Sequence, residues 1–117
     1  MEWRPASVKE VREILTSQLR RCDKTQIKAY LQFSVEPYSA PILRYGKLES
    51  VVIVARNSDN VLYYEDVEEG FNISPLASDG CIFEHWCNQD DLGKALNRWI
   101  DGRNRRDGNF SPAVNTR

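Results

Sequence analysis

Between Val8 and Cys22 the apolar residues recur at steps of three and four: Val8, Val11, Ile14 or Leu15, Leu19 and Cys22. That spacing gathers them on one stripe and predicts an amphipathic helix over about residues 8–22. Ser7-Val8-Lys9-Glu10 fits a capping box at its start, in which serine hydroxyl and glutamate carboxylate satisfy opposite orphan amides. Arg20 and Arg21 lie in its last turn, where cations complement the helix dipole. From Ile27 the period changes to two. Ile27, Ala29, Leu31, Phe33 and Val35 alternate with polar neighbours, the pattern of a half-buried strand over 26–35. A second short helix competes, because Ile27, Tyr30 and Leu31 also share a helical face. Pro37 and Pro41 then hold a loop around Tyr38 and Tyr45 that ends at Gly46.

Residues 49–56 form the clearest strand. The run Val51–Ala55 is apolar on both faces, which predicts a central position in a sheet. Asn57-Ser58-Asp59-Asn60 is a turn, and Val61–Asp66 returns as its hairpin partner. Glu69-Gly70 breaks the chain before Phe71–Ser74, a third meander strand that Pro75 ends, and Ser78-Asp79-Gly80 turns into a strand over Cys81–Trp86. Leu92, Ala95, Leu96, Trp99 and Ile100 restore helical spacing over about 89–100. Asn88 is the expected N-cap, Asp90 and Asp91 sit in the first turn, and Asp101-Gly102 is the expected stop. The elements add up to an α+β fold. We expect an antiparallel meander of four to five strands with an N-terminal and a C-terminal amphipathic helix packed on it. Residues 1–102 make a single domain, and the basic segment 103–117 reads as a flexible tail.

Length and composition agree with that picture. With 117 residues, 41% hydrophobic and 28% charged, the chain falls in the range of ordinary globular domains. Its longest uncharged apolar run, Val51–Ala55, is far below the roughly 20 residues that span a bilayer. Met1–Pro5 lacks the apolar stretch of a signal peptide, and three cysteines form no even-numbered disulfide framework. Both features favour the cytoplasm.

Charge adds something that periodicity does not. From Asn57 to Gly93 there are nine acids and no lysine or arginine, whereas residues 1–56 hold ten bases against six acids and residues 94–117 six against two. The net charge of -1 thus hides three blocks of alternating sign, and asymmetry of this kind bears on partners and association rates. Glu65, Asp66, Glu68 and Glu69 are the densest part. They lack the spacing of a calcium loop, and no glycine-rich phosphate loop accompanies them. Tyr63, Tyr64, Phe71 and Trp86 lie in or beside the acidic stretch, and aromatics among charges are the make-up of interface hot spots. Alternation sends Tyr63 and Tyr64 to opposite faces of their strand, so one of the two is expected at the surface.

Cys81, Phe83, His85 and Cys87 alternate along the last strand. Their spacing is not a standard zinc pattern, and the thiols stand too far from the single histidine for a ready ion pair. Structural, buried thiols are the favoured reading, and no cofactor is expected. The basic tail residues Arg98, Arg103, Arg105, Arg106 and Arg117 have no interleaved aromatics, which weighs against nucleic-acid binding.

In its layout the chain resembles the small α+β immunity proteins of bacterial toxin systems, including contact-dependent inhibition. The residues that carry the likeness are Val61–Asp66 in a hairpin and Glu84-His85-Trp86 leading into the helix Leu92–Ile100. The resemblance implies a cytoplasmic protein that neutralises a cognate toxin, often a basic nuclease, by masking its active site. The residues and the resemblance point the same way, to a non-enzymatic binding protein. Its surface would consist of Tyr63, Tyr64, Glu65, Asp66, Glu68, Glu69, Glu84, Trp86, Asp90 and Asp91, docking a basic partner protein. The alternatives are a small-molecule or enzymatic pocket between sheet and helices near His85, and self-association through an uncovered Val51–Ala55 sheet face.

Overall fold

The computed structural model describes residues 6–67, 69–82 and 90–107. Helix α1 spans Val8–Leu19 and opens on the expected capping box: Ser7 Oγ accepts from the Glu10 amide at 3.1 Å and Glu10 Oε1 accepts from the Ser7 amide at 2.9 Å. Its inward residues are Val11 and Leu15.

The segment expected as a strand over 26–35 is a second helix, α2, spanning Lys24–Phe33. A second capping box nucleates it. Asp23 Oδ1 accepts from the Gln26 amide and Gln26 Oε1 accepts from the Asp23 amide, both at 2.8 Å. A short run of period-two alternation cannot compete with a cap that satisfies two orphan donors at once. Accordingly Tyr30 is buried and Leu31 exposed, the reverse of what alternation requires.

Where a proline-held loop was expected, the chain forms the long strand β1, Ser34–Arg44. It pairs antiparallel with β2, Lys47–Arg56, which pairs with β3, Asn60–Glu65, and β3 with β4, Gly70–Pro75. The sheet order is β1-β2-β3-β4. Pro37 and Pro41 are tolerated because β1 is an edge strand and its missing amides leave the pairing with β2 workable. The β2–β3 turn is the expected one, with Asn57 Oδ1 accepting from the amides of Asp59 at 2.9 Å and Asn60 at 2.7 Å.

Both sheet faces carry a core. On one, Val52, Val54, Leu62, Tyr64 and Phe71 pack against Val11, Leu15, Tyr30, Leu96 and Trp99 of the helices. On the other, Ala40, Ile42, Val51, Ile53, Val61 and Tyr63 close around Ile82. Ile82 bridges Ile42 of β1 and Leu76 just after β4, so the two outer strands curl toward one another and meet at this residue. Its amide donates to Pro41 O at 2.8 Å and its carbonyl accepts from Leu43 at 3.2 Å. The Val51–Ala55 run is central and buried on both sides. No uncovered face remains there for the self-association that the sequence suggested.

Helix α3 spans Leu92–Asp107. It starts later than expected and runs through Gly102, past the stop read at Asp101-Gly102. Asp91 is its cap, with Oδ1 accepting from the Lys94 amide at 2.9 Å. Asn88 and the strand read over Cys81–Trp86 lie, from residue 83 on, outside the described residues, as does residue 108 onward. No helix among the described residues is long and apolar enough to cross a membrane.

Candidate functional site

The β1–β2 and β3–β4 turns lie at the same end of the sheet, and Arg44 ties them together. Arg44, the last residue of β1, has a buried side chain whose guanidinium meets Glu49 at 2.5 Å, Glu65 at 2.5 Å and Asp66 at 3.1 Å. Arg44 and Glu65 are fully enclosed. Burial pulls the guanidinium pKa down, but the hydrogen bond to Glu49 and the charges of Glu65 and Asp66 outweigh it and hold the pKa above its ordinary value. Asp66 Oδ2 also accepts from the Ala6 amide at 3.0 Å, and Glu65 Oε1 from the Val67 amide at 3.0 Å. The densest part of the acidic block is therefore partly an interior ion-pair cluster. Periodicity carries no signal of this, because Arg44 pairs across a hairpin with residues 21 and 22 positions away.

The other nominated residues divide. Tyr63 and Tyr64 are both buried, against the expectation that one would be exposed, because each sheet face has its own core. Asp90 pairs with Arg98 at 2.8 Å, and Asp91 is spent on capping α3. Glu69 is exposed on the β3–β4 turn. Glu68, Glu84 and Trp86 lie outside the described residues, together with His85 and Cys87. Among the described residues, the acids nominated from the sequence do not form one exposed surface.

Something else is gathered at that end. Among the described residues five large apolar side chains are exposed, and four of them sit on these two turns: Leu43 at 51%, Tyr45 at 73%, Leu48 at 70% and Val67 at 42%. Leu43 and Leu48 are cross-strand partners. Between them Tyr45 and Gly46 take φ of 53° and 73°, the all-positive pair of a type I′ hairpin turn. Tyrosine rarely accepts this conformation. Glu69, at φ 58°, is the other positive-φ non-glycine among the described residues, and it occupies the neighbouring turn. With Arg44 and Lys47 set against Glu49, Glu65, Asp66 and Glu69, the described residues named here carry two more acids than bases, most of them enclosed around Arg44. Sequence reading missed the apolar tip because it placed Leu43 and Tyr45 in an irregular loop. The one available cue was glycine after tyrosine between two leucine-bearing arms.

A second feature is polar. Gln18, Cys22, Gln26, Asp91, Lys94 and Asn97 line a cleft of about 260 Å³ where the three helices meet. Its polar atoms hold the helices together: Gln18 Oε1 accepts from the Leu92 amide at 2.6 Å, and Gln26 Nε2 donates to Gly93 O and Asn97 Oδ1 at 3.2 Å each. Burial, then the charges of Asp91 and Asp23, push the Cys22 thiol up, which makes it a poor nucleophile. Among the described residues no group of three His, Cys, Asp or Glu side chains is placed to hold a metal.

Burial of Tyr64, followed by the charges of Glu69, Asp66 and Glu10, raises its hydroxyl pKa. Burial raises that of Tyr30 as well, Arg12 opposing and Glu36 adding. The folded chain then holds protons that the unfolded chain releases above the ordinary tyrosine value of 10.0. Stability from these groups is complete below that pH and falls as pH rises through it. Urea midpoints measured from about pH 9 to about pH 11 are expected to drop, and Tyr64→Phe to reduce the drop. An equal drop in the variant would remove Tyr64 as a source.

Comparison with known proteins returned no matching family model, curated protein or solved structure.

Proposed function

We propose that this chain is a non-enzymatic binding protein that docks a basic partner protein through the end of the sheet formed by the β1–β2 and β3–β4 turns. The observation that carries the reading is the coincidence of four exposed apolar side chains, Leu43, Tyr45, Leu48 and Val67, with a local excess of carboxylates. Apolar anchors supply affinity at such surfaces, and the surrounding charge steers the encounter. The backbone at Tyr45 supports it further. A bulky residue held at positive φ costs stability, and exposed sites keep such strain where it serves recognition. The aromatic anchor is then Tyr45, in place of Tyr63 and Tyr64, while the exposed Glu69 and the partly exposed Glu49 take over from the wider acidic set. Within this reading, neutralising a basic toxin is the specific role that the immunity-protein resemblance implies.

Two variants test it. Tyr45→Asn relieves the turn, so we expect it to raise stability by up to about 1 kcal/mol while weakening docking. Leu43→Ser/Leu48→Ser, both at exposed positions, is expected to leave the melting temperature nearly unchanged. The immobilised chain, exposed at low salt to extract of its native host, is expected to retain a basic protein that both variants lose. Equal retention by wild type and variants, or retention of acidic proteins alone, would end the proposal.

A further inference from the structure

The fifth exposed apolar residue, Leu31 at 64%, stands apart from the other four. It lies on the outward face of α2, in a shallow groove with Ile27, Lys24, Lys28 and Gln32. This groove has an apolar floor and two lysines, and no carboxylate lines it. The sheet end has an apolar tip beside the exposed Glu69 and the partly exposed Glu49, with Lys47 exposed among them and Glu65 and Asp66 held inside by Arg44. The two patches are complementary in both respects: apolar against apolar, lysine against carboxylate.

They cannot meet within one molecule. Leu31 precedes the first residue of β1, and Leu43 and Tyr45 flank its last. The ends of β1 pair with Ala55 and Lys47 of β2, eight positions apart because β1 is irregular between Ser34 and Tyr38, which separates the patches by roughly 27 Å. Complementary patches at opposite ends of one rigid element are satisfied only between copies, and because the two patches differ the contact is head-to-tail.

We infer that the sheet end takes a second copy of this chain, seated through the Lys24, Ile27, Lys28 and Leu31 face of α2. The lysines of α2 occupy the place of a basic partner's charges, so self-association and partner docking exclude one another. Only that competition rests on the proposed docking function; the self-association stands on the two patches alone. The contact is small, so it forms at high protein concentration and weakens with salt.

Light scattering on the full chain, from about 10 μM to about 1 mM at low salt, tests this. The weight-average mass is expected to rise beyond twice the monomer and to fall back in about 0.5 M salt. Lys24→Glu/Lys28→Glu and Leu43→Ser/Leu48→Ser each remove one patch and are each expected to stay monomeric. Mixed in equal amounts they are expected to form a dimer and nothing larger, because each retains the patch that the other lacks. A monomeric mass for the wild type throughout, or a dimer formed by either variant alone, overturns the inference. Partner capture by Lys24→Glu/Lys28→Glu reports on the docking function separately, since this variant keeps its sheet end: capture there with a monomeric wild type sinks the self-association and leaves docking standing.

Discussion

Arg44→Met is expected to lower stability by about 3–5 kcal/mol, the cost of removing one partner from a buried ion pair. The guanidinium is enclosed and its partners Glu49, Glu65 and Asp66 converge on it from two hairpins. Taking it away leaves the fully buried Glu65 carboxylate without its main counter-charge, in a place where water cannot solvate it. Against the roughly 5–15 kcal/mol that holds a domain of this kind together, that loss is a large fraction. Arg44→Lys keeps the charge but not the planar fork that serves three carboxylates, so its cost is expected to fall between wild type and methionine. Adding Glu65→Leu to Arg44→Met removes the stranded charge and is expected to recover most of the loss. Urea denaturation of the four proteins forms the measurement. A cost below about 1 kcal/mol for Arg44→Met would mean that the cluster behaves as a solvated surface pair and does not tie the two turns together.

Ile82→Ala comes next, with an expected loss of about 2–5 kcal/mol. Ile82 is fully buried and is the residue at which β1 and the end of β4 meet. Truncation opens a cavity among Ile42, Val61 and Tyr63, and the curled sheet cannot collapse to fill it without separating its two edges. Ile82→Val removes a single methylene and is expected to cost about 0.5–1.5 kcal/mol. Hydrogen exchange adds a readout specific to closure. The Leu43 amide, which donates to Ile82 O at 3.2 Å, is expected to lose protection in Ile82→Ala before the amides of β2 do. Uniform loss across the sheet would show that Ile82 is ordinary core and not the closing contact.

Elements whose signal is local were legible in the chain. The helix from Val8 carries its cap and its stripe within a dozen residues, and the Val51–Ala55 run together with the Asn57–Asn60 turn announces a central hairpin. The strand expected over 26–35 failed for a local reason too: Asp23 and Gln26 form a cap three residues apart, and that motif outranks a short alternation. The site was less legible. Acids cluster in the sequence around Glu65, yet their net effect depends on Arg44, which arrives from another hairpin. Likewise Asp90 meets Arg98 and the exposed Asp91 caps α3, roles that their place in the acidic run does not announce.

The sequence by itself determined the α+β class, the meander order and the charge imbalance, because periodicity, caps, turns and composition are properties of neighbours along the chain. Only the tertiary structure decided that both tyrosines are interior, that an arginine enters the acidic block, and that Leu43, Tyr45, Leu48 and Val67 share one exposed end. The physical reason is that burial and pairing are set by which segments lie across from one another. In a sheet whose edges close on Ile82, that depends on contacts tens of residues apart, which no local pattern records.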